Sequence, residues 1–137
     1  MKQFWPKKRV IGRCTLYLAD CFKLLSHLPK VDAVITDPPY GINYKSHLPG
    51  AQIFDGLRGD SVLIDLRPVL TMNCFVLSWG GNCYPEQLPH RGRWCCWDKR
   101  VVHAADRVFG NPFELAWTNK TSGYDTMCRI MHGGVVD

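Results

Sequence analysis

The sequence predicts an α/β fold built on a mostly parallel sheet. Three observations carry this expectation. A strand-helix-strand run fills the first third of the chain. Its second strand, Val31 to Ile35, is rich in small and β-branched residues, as a parallel strand covered on both faces would be. Three more strand-like runs follow, separated by loops and one weakly helical stretch. At 137 residues the chain accommodates one domain over 1–137 with a real core and no second full domain.

Met1 to Gly12 reads as a basic segment, with Lys2, Lys7, Lys8 and Arg9 solvated and Phe4 and Trp5 packed onto the body. Cys14 to Leu18 alternates and contains Thr15 and Tyr17, which predicts a short strand. Asp20 is placed to cap a helix over Cys21 to Leu28. Phe22, Leu24, Leu25 and Leu28 give that helix an apolar face, and Pro29 ends it. A β-α-β unit of this kind implies parallel strands and a right-handed crossover. Two prolines, Pro38 and Pro39, then stop the second strand. Neither has an N–H, each fixes φ near −65°, and Asp37 before them is pushed to an extended conformation. The product is a stiff turn at the carboxyl end of a strand, where open α/β sheets hold ligands.

Gly41 to Asp60 is polar and glycine-bearing, as a mobile loop would be. Ser61 to Leu70 predicts a weakly amphipathic helix limited by Pro68. Asn73 to Trp79 predicts a buried strand terminated by Gly80-Gly81-Asn82. Gly92 to Asp98 and Phe113 to Asn119 predict two more strands, with Val101 to Arg107 a short helix or loop between them. The tail from Thr121 to Asp137 fits a helix or a strand through Met127, Ile130 and Met131.

Composition narrows the function classes. Apolar residues make up 46% of the chain, yet no run approaches the ~20 residues of a membrane span. The basic N-terminus is followed by no apolar stretch of the signal-peptide kind. The net charge of +5 suits a polyanion partner without requiring one. Seven cysteines without a C-x-x-C pair argue for reduced thiols in a cytoplasmic protein, with no metal site.

Asp37-Pro38-Pro39-Tyr40 offers a carboxylate, carbonyls that no neighbouring N–H must claim, and an aromatic ring. Asp37 and the Pro38 carbonyl can accept the two hydrogens of an amine on a flat base, and Tyr40 can stack on its ring. This turn resembles the Asp-Pro-Pro-Tyr motif of the DNA amino-methyltransferases. The run Leu18-Ala19-Asp20-Cys21-Phe22 through Leu28-Pro29 and Val31 to Tyr40 is similar to the opening of the members whose catalytic half comes first, including phage and prophage adenine methylases. Trp79 to Tyr84 and Glu114-Leu115-Ala116-Trp117 resemble later strands of the same family. Where that family has Gly-Asp, this chain has Ala19-Asp20.

The resemblance implies a Rossmann-like fold and methyl transfer from S-adenosylmethionine to the exocyclic amine of adenine in double-stranded DNA. The cell would be bacterial or phage-infected. It implies catalytic roles for Asp37, Pro38, Pro39 and Tyr40, and cofactor contacts for Asp20 and Asp37. It suggests DNA contacts for Asn43, Tyr44, Lys45, Asn82, Lys99 and Arg100, with a lid over 41–60. Asp20 can serve as helix cap, cofactor contact or both, and Asn82 can face base or cofactor. The glycine loop that receives the methionine end of the cofactor, of the type Phe-x-Gly-x-Gly, is not found. The chain therefore reads as the first part of the family's domain, with weak or absent cofactor binding and an open sheet edge that favours a homodimer. Cytosine, RNA or protein glutamine as substrates, and a catalytically dead DNA-binding module, stand as alternatives.

Overall fold

The computed structural model describes residues 6–45, 59–100 and 111–129. The expected packing of Phe4 and Trp5, most of the lid, the Val101 to Arg107 segment, and Ile130 and Met131 lie outside the described residues. The chain divides into two compact units, Met1–Val31 and Asp32–Asp137.

The first unit is a hairpin and a short helix. β1 (Lys7–Ile11) pairs antiparallel with β2 (Cys14–Leu18), in the register Lys7 to Leu18 and Ile11 to Cys14. Gly12, at φ 57°, opens the two-residue loop between them, where a tight hairpin needs a positive φ. α1 spans Cys21–Leu25, and the Asp20 side chain accepts from the backbone N–H groups of Phe22 and Lys23. The cap is as expected, but the helix stops at Leu25 and buries none of its residues.

The second unit holds a five-stranded mixed sheet in the order β3-β4-β6-β5-β7. Its strands are β3 (Ala33–Thr36), β4 (Phe75–Trp79), β5 (Arg93–Asp98), β6 (Phe113–Thr118) and β7 (Thr126–Arg129). β3 and β4 are parallel, as are β5 and β7; β6 runs antiparallel between β4 and β5. The register puts Val34, Val76, Ser78 and Trp117 on one face, and Val76, Ser78 and Trp117 are buried. Leu66, Val69, Leu70, Tyr84 and Ala116 are the other buried hydrophobic residues of the core among those described.

The Rossmann-like α/β expectation is overturned. Strands make up 34% of the structure and helices only 12%. β2 belongs to the hairpin and β3 to the larger sheet, so no β-α-β crossover joins them. The helix expected over Ser61 to Leu70 contracts to α2 (Arg67–Leu70), with Pro68 in its first turn rather than at its end. A single turn gains few hydrogen bonds for the dihedrals it fixes, and Val62 and Leu63, two of the apolar residues in the helical pattern, are exposed. β3 is also an edge strand, with Ile35 70% exposed, and is not covered on both faces. Among the described residues no helix is long and apolar enough to cross a membrane.

β3, β4 and β5 all point one way, so their carboxyl ends meet the amino end of β6 at one edge. Backbone bonds from Gly80 N–H to the Leu115 carbonyl (2.8 Å) and from Lys99 N–H to the Pro112 carbonyl (2.9 Å) knit that edge together. The Asp37–Tyr40 turn leaves β3 there.

Candidate functional site

The turn is fixed from three sides. Pro38 is buried, while the Asp37 carboxylate stays exposed. The Tyr40 hydroxyl donates to Asp37 Oδ1 at 2.6 Å. Burial of the Tyr40 ring, reinforced by that carboxylate, raises its phenol well above the ordinary tyrosine range. Gly80 makes room for the ring: a Cβ at that position would run into Tyr40, and its φ of 67° favours glycine independently.

Two further residues hold the turn, and neither was singled out in the sequence. Tyr84 is 0% exposed, and its hydroxyl donates to the Pro39 carbonyl. Burial pushes its phenol up to about 12. Asp60 is 1% exposed and grips the chain just beyond the turn. Its Oδ1 accepts from Gly41 N–H and its Oδ2 from Tyr44 N–H, both at 2.8 Å, while its carbonyl accepts from Asn43 N–H at 2.7 Å. The Tyr44 N–H, then that of Gly41, holds the carboxyl below its ordinary 3.8 against the opposing effect of burial. These contacts join residues 16 to 45 positions apart. No local motif announces them, and only the burial of a lone acid or a lone tyrosine could have done so.

A cavity of about 390 Å³ opens beside the turn, lined in part by Asp37, Pro38, Tyr40, Tyr44, Asp60 and Asn111. A second cavity of similar size shares Tyr40 and is lined by Gly80, Asn82 and Glu114 among others. Tyr40 thus borders both. Asp37, Pro38, Pro39, Tyr40 and Tyr44 are brought together, and Asn82 lies on the second cavity. Of the two acceptors expected for an amine, Asp37 Oδ1 holds the Tyr40 hydroxyl. Among the described residues no donor reaches the Pro38 carbonyl, and it is the Pro39 carbonyl that Tyr84 occupies.

The remaining expected contacts are more scattered. Asn43 adopts a positive φ of 50°, and its side chain and that of Lys45 are exposed. Lys99 pairs with Glu114 and lies 5.3 Å from the centre of the Trp97 ring. Arg100 pairs with the buried Asp98 at 2.8 Å. Both cations at this edge therefore have carboxylate partners within the protein. Asp20 belongs to the first unit and spends its Oδ1 on the α1 cap.

A cradle for S-adenosylmethionine needs bare backbone facing its ligand. Gly80 and Gly81 do not fit that requirement. Beside Gly80 lies the Tyr40 ring, and a Cβ on Gly81 would lie 2.8 Å from Trp94 and 3.0 Å from Trp117. The chain's own aromatic rings occupy the space beside both glycines. Gly133-Gly134 lies outside the described residues. Compared with family models, curated proteins and solved structures, the chain matches none.

Proposed function

We propose that the Asp37–Tyr40 turn binds the exocyclic amine of a nucleobase, adenine in DNA, as the base-holding part of an amino-methyltransferase. The observation that carries the reading is a carboxylate, the Pro38 carbonyl and a tyrosine ring fixed around one cavity at the carboxyl edge of β3. Asp37 accepts one amine hydrogen and Pro38 the other. Accepting both draws the nitrogen lone pair out of conjugation with the ring and makes it a better nucleophile. Tyr40 stacks on the base, which leaves the duplex to reach the turn. S-adenosylmethionine would supply an electrophilic methyl group. Because Gly80 and Gly81 do not fit that cofactor, no transfer step is assigned to these residues. The same misfit favours a second reading, a module that binds nucleic acid without catalysing transfer.

The test compares deoxyadenosine monophosphate with its N6,N6-dimethyl analogue by calorimetric titration. The analogue keeps the ring and loses both amine hydrogens. The parent nucleotide is expected to bind about tenfold tighter, chiefly from the second amine hydrogen on the Pro38 carbonyl. Asp37→Ala should narrow that preference while leaving the circular dichroism unchanged. Equal affinity for the two nucleotides in the unsubstituted protein overturns the reading. Methylation of duplex DNA supplied with S-adenosylmethionine then separates the enzyme from the binding module. Parallel assays on cytosine-only DNA, RNA and glutamine peptides separate the substrates.

A further inference from the structure

We infer that the β1–β2 hairpin is a docking surface for the phosphate backbone of nucleic acid, separate from the turn that reads the base. The inference rests on the proposed nucleic-acid substrate and adds where the polymer is held. Charge is distributed unevenly along the chain. Met1–Val31 has seven basic residues against one acidic residue, a net +6, while Asp32–Asp137 has ten against eleven, a net −1. The whole positive excess of the protein therefore lies in the smaller unit. Its single acid, Asp20, is turned to the α1 cap. In the larger unit Arg67, Lys99 and Arg100 face carboxylates of their own chain, and Arg93 donates to the Gly123 and Thr121 carbonyls.

The hairpin displays its charge openly. Every residue of β1 is exposed, and so is Arg13 in the loop. Lys7 and Arg9 stand on one face of the ribbon and Lys8 on the other, with its ammonium 5.9 Å from the centre of the Tyr17 ring. Alternate residues on a strand are about 7 Å apart, close to two base-pair steps of ~3.4 Å along the DNA helix axis. A two-stranded ribbon is also narrow enough for the major groove, ~12 Å wide. Such contacts position a duplex without reading its sequence.

The experiment uses the full chain and a duplex of arbitrary sequence, with affinity measured across a salt series. Lys7→Gln with Arg9→Gln is compared with Arg91→Gln with Lys120→Gln, which removes the same charge from exposed positions of the larger unit. The hairpin pair should lower affinity about tenfold and flatten the log–log salt slope by about 2, near 0.9 for each phosphate no longer neutralised. The matched pair should leave the slope unchanged. Lys7→Arg with Arg9→Lys should bind as the parent does, which separates the removal of charge from a damaged hairpin. The inference is overturned if both glutamine pairs weaken binding equally, if neither does, or if the parent binds anionic phospholipid vesicles and not DNA. The nucleotide titrations read the turn alone, and the salt series reads the hairpin. A hairpin that holds DNA in a protein with no preference for an amine would therefore refute the base-binding reading and leave this one standing.

Discussion

Tyr84→Phe tests the framework of the site most directly, because it deletes one oxygen from a residue that is otherwise fully enclosed. The ring fits as before, so no large cavity forms. What disappears is the hydrogen bond to the Pro39 carbonyl. A neutral hydrogen bond contributes about 0.5–1.5 kcal/mol net, and a buried acceptor left unpaired costs about 1–3 kcal/mol. Pro39 is only half-buried, so water can partly replace the missing donor. These limits bracket a destabilisation of about 1–2 kcal/mol, a melting shift of about 5 °C for a chain of this size. Tyr84→Ala adds a ring-sized void and should cost about 3–5 kcal/mol. The pH dependence gives a second signature. The phenol ionises at about 12 in the fold against an ordinary 10.0. Its folded value is raised, so its stabilisation is complete below pH 10 and is lost as the pH climbs from 10 to 12. Urea unfolding of parent and Tyr84→Phe should therefore differ most near neutrality and converge across that alkaline window. A Tyr84→Phe protein as stable as its parent at neutral pH would show that the phenol does not hold Pro39, and a gap that fails to narrow with alkali would show that the phenol is not buried.

Three more substitutions address the turn itself. Gly80→Ala should force the Tyr40 ring aside and break its bond to Asp37; phenolate absorbance should then show Tyr40 titrating nearer its ordinary 10.0. Asp60→Asn leaves an acceptor for only one of two N–H groups, so hydrogen exchange at Gly41 or Tyr44 should quicken about tenfold while the amides of β4 stay protected. In the parent the carboxylate form of Asp60 is the favoured one, with a lowered folded pKa. Protection of both amides should therefore persist below the ordinary 3.8 and fail only as the pH falls through the folded value. Tyr40→Phe keeps the ring but releases Asp37 Oδ1. Deoxyadenosine monophosphate should bind a few-fold tighter to this variant, and weaker binding would mean that the hydroxyl touches the ligand.

The turn was legible because its chemistry is local. Two prolines end a β-branched strand within four residues, and nothing distant is needed to stop β3 at Thr36. The strands β4, β5 and β6 were legible for the same reason, each being a compact run of aromatic, cysteine or aliphatic residues. What the sequence hid was decided between distant segments. β1 is a strand of two lysines and an arginine that resembles a solvated terminus until Gly12 turns it back onto β2. The helical pattern over Ser61 to Leu70 is real on paper, with Leu66, Val69 and Leu70 correctly spaced. Asp60, just before it, is committed to Gly41 and Tyr44, and only the last turn forms. The antiparallel placement of β6 between β4 and β5 follows from strand pairing, which no single run of residues records.

The turn is closed by its own tyrosine. Asp37 already accepts one strong hydrogen bond from Tyr40, so an arriving amine exchanges one donor for another at that oxygen. Such an exchange gains little by itself. The net gain must come from contacts the tyrosine cannot make: a second amine hydrogen on the Pro38 carbonyl and the stacking of a flat ring. A ligand with one donor and no ring would gain nothing over Tyr40. A planar base with an NH2 group satisfies both conditions, whereas a dialkylated amine satisfies only the stacking. On the proposed base-binding reading the closed turn would serve as a filter, and its rigidity would matter because both acceptors must stay in place when Tyr40 lets go. That task falls to Tyr84 behind Pro39 and to Asp60 beyond Gly41, which bond to the turn's backbone and leave the Asp37 carboxylate to the ligand.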